Sequence, residues 1–262
     1  MSGVVELPVD VGWAVGLLLG LIRVAAFAIT SPIIGRAVPV PARMAFTFAV
    51  GLSISQPVHG VVEMGDLVTA AVINAVVGGA LGFVSGLIFH LFASAGGMLD
   101  LVSGLAVSTV FDPMQGDQGG VFGRMFHLTA ITMFLVGGGM LLLVGGLVGS
   151  TRVLPLDAPL APQPGLAGLV VELVSDLVRT GFELALPVMG VLFMLELALG
   201  LASRFAPQAN VFLLGLPAKI LAAITVIGSS WVLFPDAVAG AERTVARSLD
   251  AVLRGLGAGV GA

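Results

Sequence analysis

Two charged side chains sit where the sequence around them is otherwise apolar, and both are expected to be buried: Arg23 in the middle of segment 11–34 and Glu196 inside segment 184–203. An unpaired charge at the centre of a bilayer costs at least ~2.5 kcal/mol, so each needs a partner or water. Ion pairing between helices or between subunits would make these residues structural. A polar path through the membrane would instead make them a substrate or proton site of a secondary transporter. No second carboxylate or histidine lies three or four residues from Glu196, as a proton relay would require, and this favours ion pairing.

Little else in the chain is arranged for catalysis. It contains no Gly-x-x-x-x-Gly-Lys phosphate loop, no Gly-x-Ser-x-Gly elbow, no paired-histidine helix motif and no Gly-x-Gly-x-x-Gly opening a helix after a strand. His59, His90 and His127 are too far apart in sequence to signal a metal site, and each reads as a hydrogen-bonded interface residue. The absence of cysteine removes disulfides, thiolate metal sites and cysteine nucleophiles together. The glycine-rich end, Gly255 to Gly261, imitates a nucleotide loop only superficially and reads as a disordered terminus. A non-enzyme without cofactor or metal is expected. The net charge of -4 comes without a basic stripe, which argues against nucleic acid as a partner.

Glycine provides the other spaced pattern. There are 37 glycines in 262 residues, about twice the ~7% of ordinary proteins. Gly12, Gly16 and Gly20 form one four-residue ladder and Gly78, Gly82 and Gly86 another, with Gly145 and Gly149 repeating the step. Each set lies on one helix face, where missing side chains let two backbones approach closely, which is how helices associate in lipid. Packing within this chain and packing against another subunit are both open readings.

The elements that carry these residues must be membrane helices. Hydrophobic residues make up 58% and charged residues only 10%, against roughly a quarter charged in a soluble domain; mean hydropathy is +1.12. An all-α integral membrane protein in contact with lipid is expected, because only internally bonded backbone tolerates hydrocarbon. Apolar segments fall at 11–34, 44–62, 67–99, 125–150, 184–203 and 220–235. A signal peptide fits poorly, since Glu6 and Asp10 stand where positive charge belongs, and the first segment should be retained. Prolines 155, 159, 162 and 164 mark an extended linker, followed by a more amphipathic stretch at about 166–183 that is expected at an interface.

Segment 67–99 has no formal charge and, at ~1.5 Å per residue, would be near 50 Å long as one helix, beyond a ~30 Å hydrocarbon core. It must tilt, break or project, and Gly78-Gly79 and Gly96-Gly97 are the expected weak points. If all six segments crossed, the basic loops with Arg36 and Arg43 and with Arg204 and Lys219 would be cytoplasmic and both termini outside.

Two polar interruptions are more specific. The first runs from Leu99-Asp100-Leu101 through Val110-Phe111-Asp112-Pro113-Met114 to Gly123-Arg124; Asp112-Pro113 favours a turn, and its glycines permit tight backbone. By its residues alone it is either an exposed loop or non-helical backbone buried by protein at membrane depth. The second runs from Arg204 through Pro207, Gln208, Asn210 and Phe212 to Pro217 and Lys219, and reads as a hairpin turn bracketed by its two prolines. Together with Arg23, Pro32, Gly35, Pro39 and Arg43, these stretches resemble the FliR family of flagellar biosynthetic proteins and its injectisome relatives over nearly the whole chain. Val102 departs from the family pattern, which usually has glutamine there, and the linker is unusually proline-rich.

The resemblance implies a structural and gating subunit of a type III export gate. It would sit in the bacterial inner membrane at the flagellar basal body, and its partners would be FliP-like, FliQ-like and FlhB-like subunits and the secreted protein substrates. It further implies a FliP-like region at 1–165 and a FliQ-like hairpin region at 166–262, in an assembly seated largely above the membrane plane. The loop at 106–122 would then enter the pore as a plug, with Val110, Phe111, Asp112, Pro113 and Met114 sealing it.

Overall fold

The computed structural model describes residues 11–35, 38–58, 64–106, 120–159, 166–205 and 211–257. These residues form helices and connecting turns, with no strand among them: α1 (Val11–Thr30), α2 (Pro32–Gly35), α3 (Val40–Ile54), α4 (Met64–Ser103), α5 (Val121–Val136), α6 (Gly139–Val153), α7 (Leu166–Phe205), α8 (Val211–Ser230), a 3-10 turn (Trp231–Leu233) and α9 (Phe234–Gly257). Among the described residues three helices are long and apolar enough to cross a membrane, and the number rises to five if the pairs α5–α6 and α8–α9 each count as one broken span. The protein is an all-α integral membrane protein.

By packing, the chain divides into two units, one of Met1–Gly86, Gly139–Val171 and Thr244–Ala262, the other of Leu87–Gly138 and Glu172–Arg243. In the first unit, α1 is held by glycine contacts on two sides. A methyl group at Gly16 would strike the carbonyl oxygen of Gln56, and one at Gly20 would come to 3.0 Å from that of Gly51. Later residues of α1 thus meet earlier residues of the α3 segment, so the pair is antiparallel. On the other side, Gly78 abuts the backbone of Arg23, Gly82 that of Phe27, and Gly86 the ring of Pro32, so α4 and α1 run parallel. Gly12 joins by accepting the Val58 N–H at 3.1 Å. Both ladders therefore make backbone contacts inside this chain, whereas Gly145 and Gly149 face open space.

The second unit packs through aromatic rings. Phe89 and Phe134 meet edge to face at 5.2 Å, and Phe92, Phe126 and Trp231 each lie against Phe234 at 5.1–5.2 Å. Phe89, Phe92 and Phe134 are fully buried. Such rings add ~0.5–1.5 kcal/mol per pair beyond the area they bury.

Several sequence expectations are corrected. Segment 67–99 is part of a 40-residue helix that does not break at Gly78-Gly79 or Gly96-Gly97. The ~1 kcal/mol that glycine costs a helix is offset where the bare backbone packs, as at Gly78 on Arg23 and Gly96 on Phe122 and Gly123. Segment 125–150 does break, at Gly137-Gly138, where Gly138 adopts φ +86°, a conformation only glycine takes easily. The amphipathic stretch and segment 184–203 form one helix, α7, running through Pro187. Pro217 lies inside α8 and does not close a turn. Helix α9 extends far beyond the expected segment 220–235 and includes Gly255 to Gly257 of the glycine-rich end.

Candidate functional site

Arg23 is completely buried, and its guanidinium is held by neutral groups. Nε donates to Asn74 Oδ1 at 2.8 Å, and Nη1 donates to Ser150 Oγ at 3.1 Å and to the Leu154 carbonyl at 3.0 Å. Asn74 is fixed in turn by donating to the carbonyls of Ala70 and Leu156, each at 2.8 Å. Ser150 and Leu154 stand at the C-terminal end of α6, where unpaired carbonyls carry roughly half a negative charge. The helix end thus supplies partial counter-charge, and Arg23 staples α1, α4 and the α6 terminus together. None of its partners can accept a proton, and the arrangement has no relay chemistry. Arg43 performs a smaller version of the same task by donating to the Gly35 carbonyl at the end of α2.

The expectation that Glu196 is buried is corrected. Its side chain is 58% exposed in this chain, and Oε1 accepts from Lys219 Nζ at 2.8 Å across α7 and α8. It lies on an outward face with the exposed Phe193, Met194, Leu197 and Leu201, so the neighbours are too few to enclose it. The pair neutralises both charges on an apolar surface. Lys219 therefore ties the turn motif to α7, while Arg204 ends α7 exposed and Phe212 lies in α8. Pro207, Gln208 and Asn210 lie outside the described residues.

The most developed polar site is at the stem of the first interruption. Asp100 is 1% exposed. Its Oδ1 accepts the Phe122 N–H at 3.0 Å and its Oδ2 the Gly123 N–H at 2.8 Å. The first turn of α5 has four N–H groups without helical partners, and Gly120 at its N-cap has no side chain to serve them. Asp100 supplies the cap from a distant part of the sequence, and its charge suits the positive end of the helix. Its own carbonyl accepts the Ala106 N–H at 3.0 Å, closing the turn that ends α4, in which Gly104 adopts φ +84°. A methyl group at Gly120 would collide with the Asp100 carboxylate. Both ends of the loop, Ala106 and Gly120, are therefore set against one buried residue.

Val110, Phe111, Asp112, Pro113 and Met114 belong to the stretch between these ends and lie outside the described residues. Nothing in the residues beside Asp100 marks it as a cap. Its signal was indirect: Gly119-Gly120-Val121 opens a helix without Ser, Thr, Asn or Asp at the cap, so a cap had to come from elsewhere. Of the histidines, His127 places Nδ1 3.3 Å from the Phe89 carbonyl, and His90 is exposed. No group of three or more potential metal ligands occurs among the described residues.

The family model for Bacterial export proteins, family 1, matches residues 14–244. The flagellar biosynthetic protein FliR of Escherichia coli strain K12 is 32% identical over 216 residues, covering 80% of this chain and 81% of that protein. FliR of Bacillus subtilis strain 168 is 29% identical over 210 residues, covering 78% and 81%. The surface presentation of antigens protein SpaR of Shigella flexneri is 30% identical over 152 residues, 58% of each chain. With the match running from the first turn of α1 into α9, the chain belongs to the FliR family of bacterial export proteins.

Proposed function

We propose that the protein is a structural and gating subunit of the export gate of the flagellar type III secretion apparatus, in the bacterial inner membrane. It is itself FliP-like over 1–165 and FliQ-like over 166–262, assembles with FliP-like and FliQ-like subunits, associates with an FlhB-like subunit, and passes secreted protein substrates. The loop at 106–122 closes the channel as a plug. The observation that carries this reading is the stem at Asp100. A loop meant to seal a pore and then be displaced needs fixed ends and a yielding middle, and here both ends are tied to one buried residue, Ala106 to the backbone carbonyl of Asp100 and the start of α5 to its carboxylate. A hydrophobic residue such as Phe111 at the constriction would exclude water and ions.

A secondary transporter built on Arg23 and Glu196 finds less support. The first is enclosed by dipoles that cannot take a proton, and the second is already paired with Lys219. The test is native mass spectrometry of the protein extracted in mild detergent with its FliP-like and FliQ-like partners co-expressed. A complex containing several copies of the FliP-like subunit is expected; a lone monomer or homodimer would overturn the proposal.

A further inference from the structure

A recess of about 340 Å³ opens where the end of α5 faces the first half of α9. Its walls are apolar, formed by Met133, Val136, Val238 and Ala239, and among the described residues Glu242 is the only ionisable group lining it. Glu242 Oε1 is shut off from solvent and has no hydrogen-bond partner. Buried carboxylate oxygens without donors are rare because each forfeits its hydration. Gly137 keeps the approach open, since a methyl group there would come to 3.2 Å from that same oxygen. The carboxylate turns about a broad terminal torsion, so it can swing towards whatever enters.

We propose that this recess receives the side chain of an arginine or lysine carried by a neighbouring, non-identical subunit of the export gate, with Glu242 as its counter-ion. The chemistry selects that occupant. A long cationic side chain lays its methylene stem along apolar walls while its head finds an anion, and the recess provides both surfaces. A divalent metal would need further ligands, and no cluster of three or more potential metal ligands occurs among the described residues. Val136 stands at the rim, 85% exposed in the isolated chain, and would be covered by such a partner. The inference rests on the proposed role as an assembled subunit and adds a contact to it.

The chain has no cysteine, so Val136→Cys gives a single reporter. In the isolated chain it should react readily with a maleimide. In the complex with co-expressed FliP-like and FliQ-like subunits the reaction should slow at least about tenfold, and a photo-crosslinker at this position should capture a peptide of another subunit containing Arg or Lys. Glu242→Lys should lower recovery of the complex at least about tenfold, as expected for losing one member of a buried charge pair, while its helical circular dichroism and elution as an isolated chain match wild type. Unchanged maleimide reactivity, a crosslink to a second copy or to lipid, or wild-type recovery of the Glu242→Lys complex would overturn the contact alone. Failure of the wild-type chain to form any complex would overturn the subunit reading, and the contact with it.

Discussion

Replacing Asp100 by alanine would strip the cap from α5 while leaving the backbone of the α4 turn intact. Two N–H groups, those of Phe122 and Gly123, would lose a charged acceptor in a site that is 1% exposed. A hydrogen bond to a charged group contributes about 1.5–3 kcal/mol net, and the two share one carboxylate, so about 3–4 kcal/mol is the reasonable sum. This free energy sits mainly in local opening of the first turn of α5, because the rest of the unit packs through its aromatic rings. At 1.4 kcal/mol per factor of ten, exchange of the Phe122 and Gly123 amides should accelerate by roughly two to three orders of magnitude. Exchange in the middle of α5 should change little. Asp100→Asn keeps one acceptor but turns an N–H₂ towards a backbone donor, and it should show about half the loss in free energy. Hydrogen exchange read by mass spectrometry on detergent-solubilised protein gives both numbers. Amide protection at 122 and 123 within about threefold of wild type in Asp100→Ala would refute the reasoning, since it would mean that the carboxylate is not holding the helix end.

Other consequences follow from the same geometry. Gly78→Ala or Gly82→Ala should destabilise the chain by about 1–3 kcal/mol as α4 is forced off α1, whereas Gly145→Ala, which meets open space, should leave thermal inactivation in detergent unchanged for the isolated chain. Arg23→Met should be tolerated better than Asn74→Leu, because the second keeps the buried charge and removes the acceptor of its Nε; comparing the two melting temperatures checks this. Phe111→Ala, or removal of residues 112–119, should raise ion leak through the assembled complex if the loop is the plug, and unchanged conductance in both would remove that assignment.

How far these features were legible depends on whether the cause was local. The helical class and the membrane setting follow from composition, and the glycine ladders from a four-residue step, because both act through short-range rules. The breaks were harder. Three glycines in a row at 137–139 end α5 and allow the positive φ of Gly138, yet Gly96-Gly97 passes through α4 without a break. What separates them is packing: Gly96 is pressed against the backbone of Phe122 and Gly123, and that contact is invisible in the sequence near residue 96. Helix α9 was missed for the opposite reason. Its charges Glu242, Arg243, Arg247, Asp250 and Arg254 interrupt any run of apolar residues, although Val238, Ala241, Val245, Leu249 and Val252 repeat at helical spacing and are buried.

The same distinction separates the two charges set in apolar segments, Arg23 and Glu196. Both were expected to need partners, and a surplus charge in an apolar segment does carry that information. What it lacks is the kind of partner. Glu196 finds a formal cation, Lys219, 23 residues away across α7 and α8, and the two can remain on a surface because together they are neutral. Arg23 finds no carboxylate among its hydrogen-bond partners and is buried by an amide, a hydroxyl and a helix-end carbonyl drawn from positions as far as 131 residues away. A search for complementary charges would recover the first arrangement and miss the second. In a helical membrane protein the end of a helix is itself a counter-ion, so an unpaired arginine in an apolar segment should be read against helix termini as well as against acidic residues.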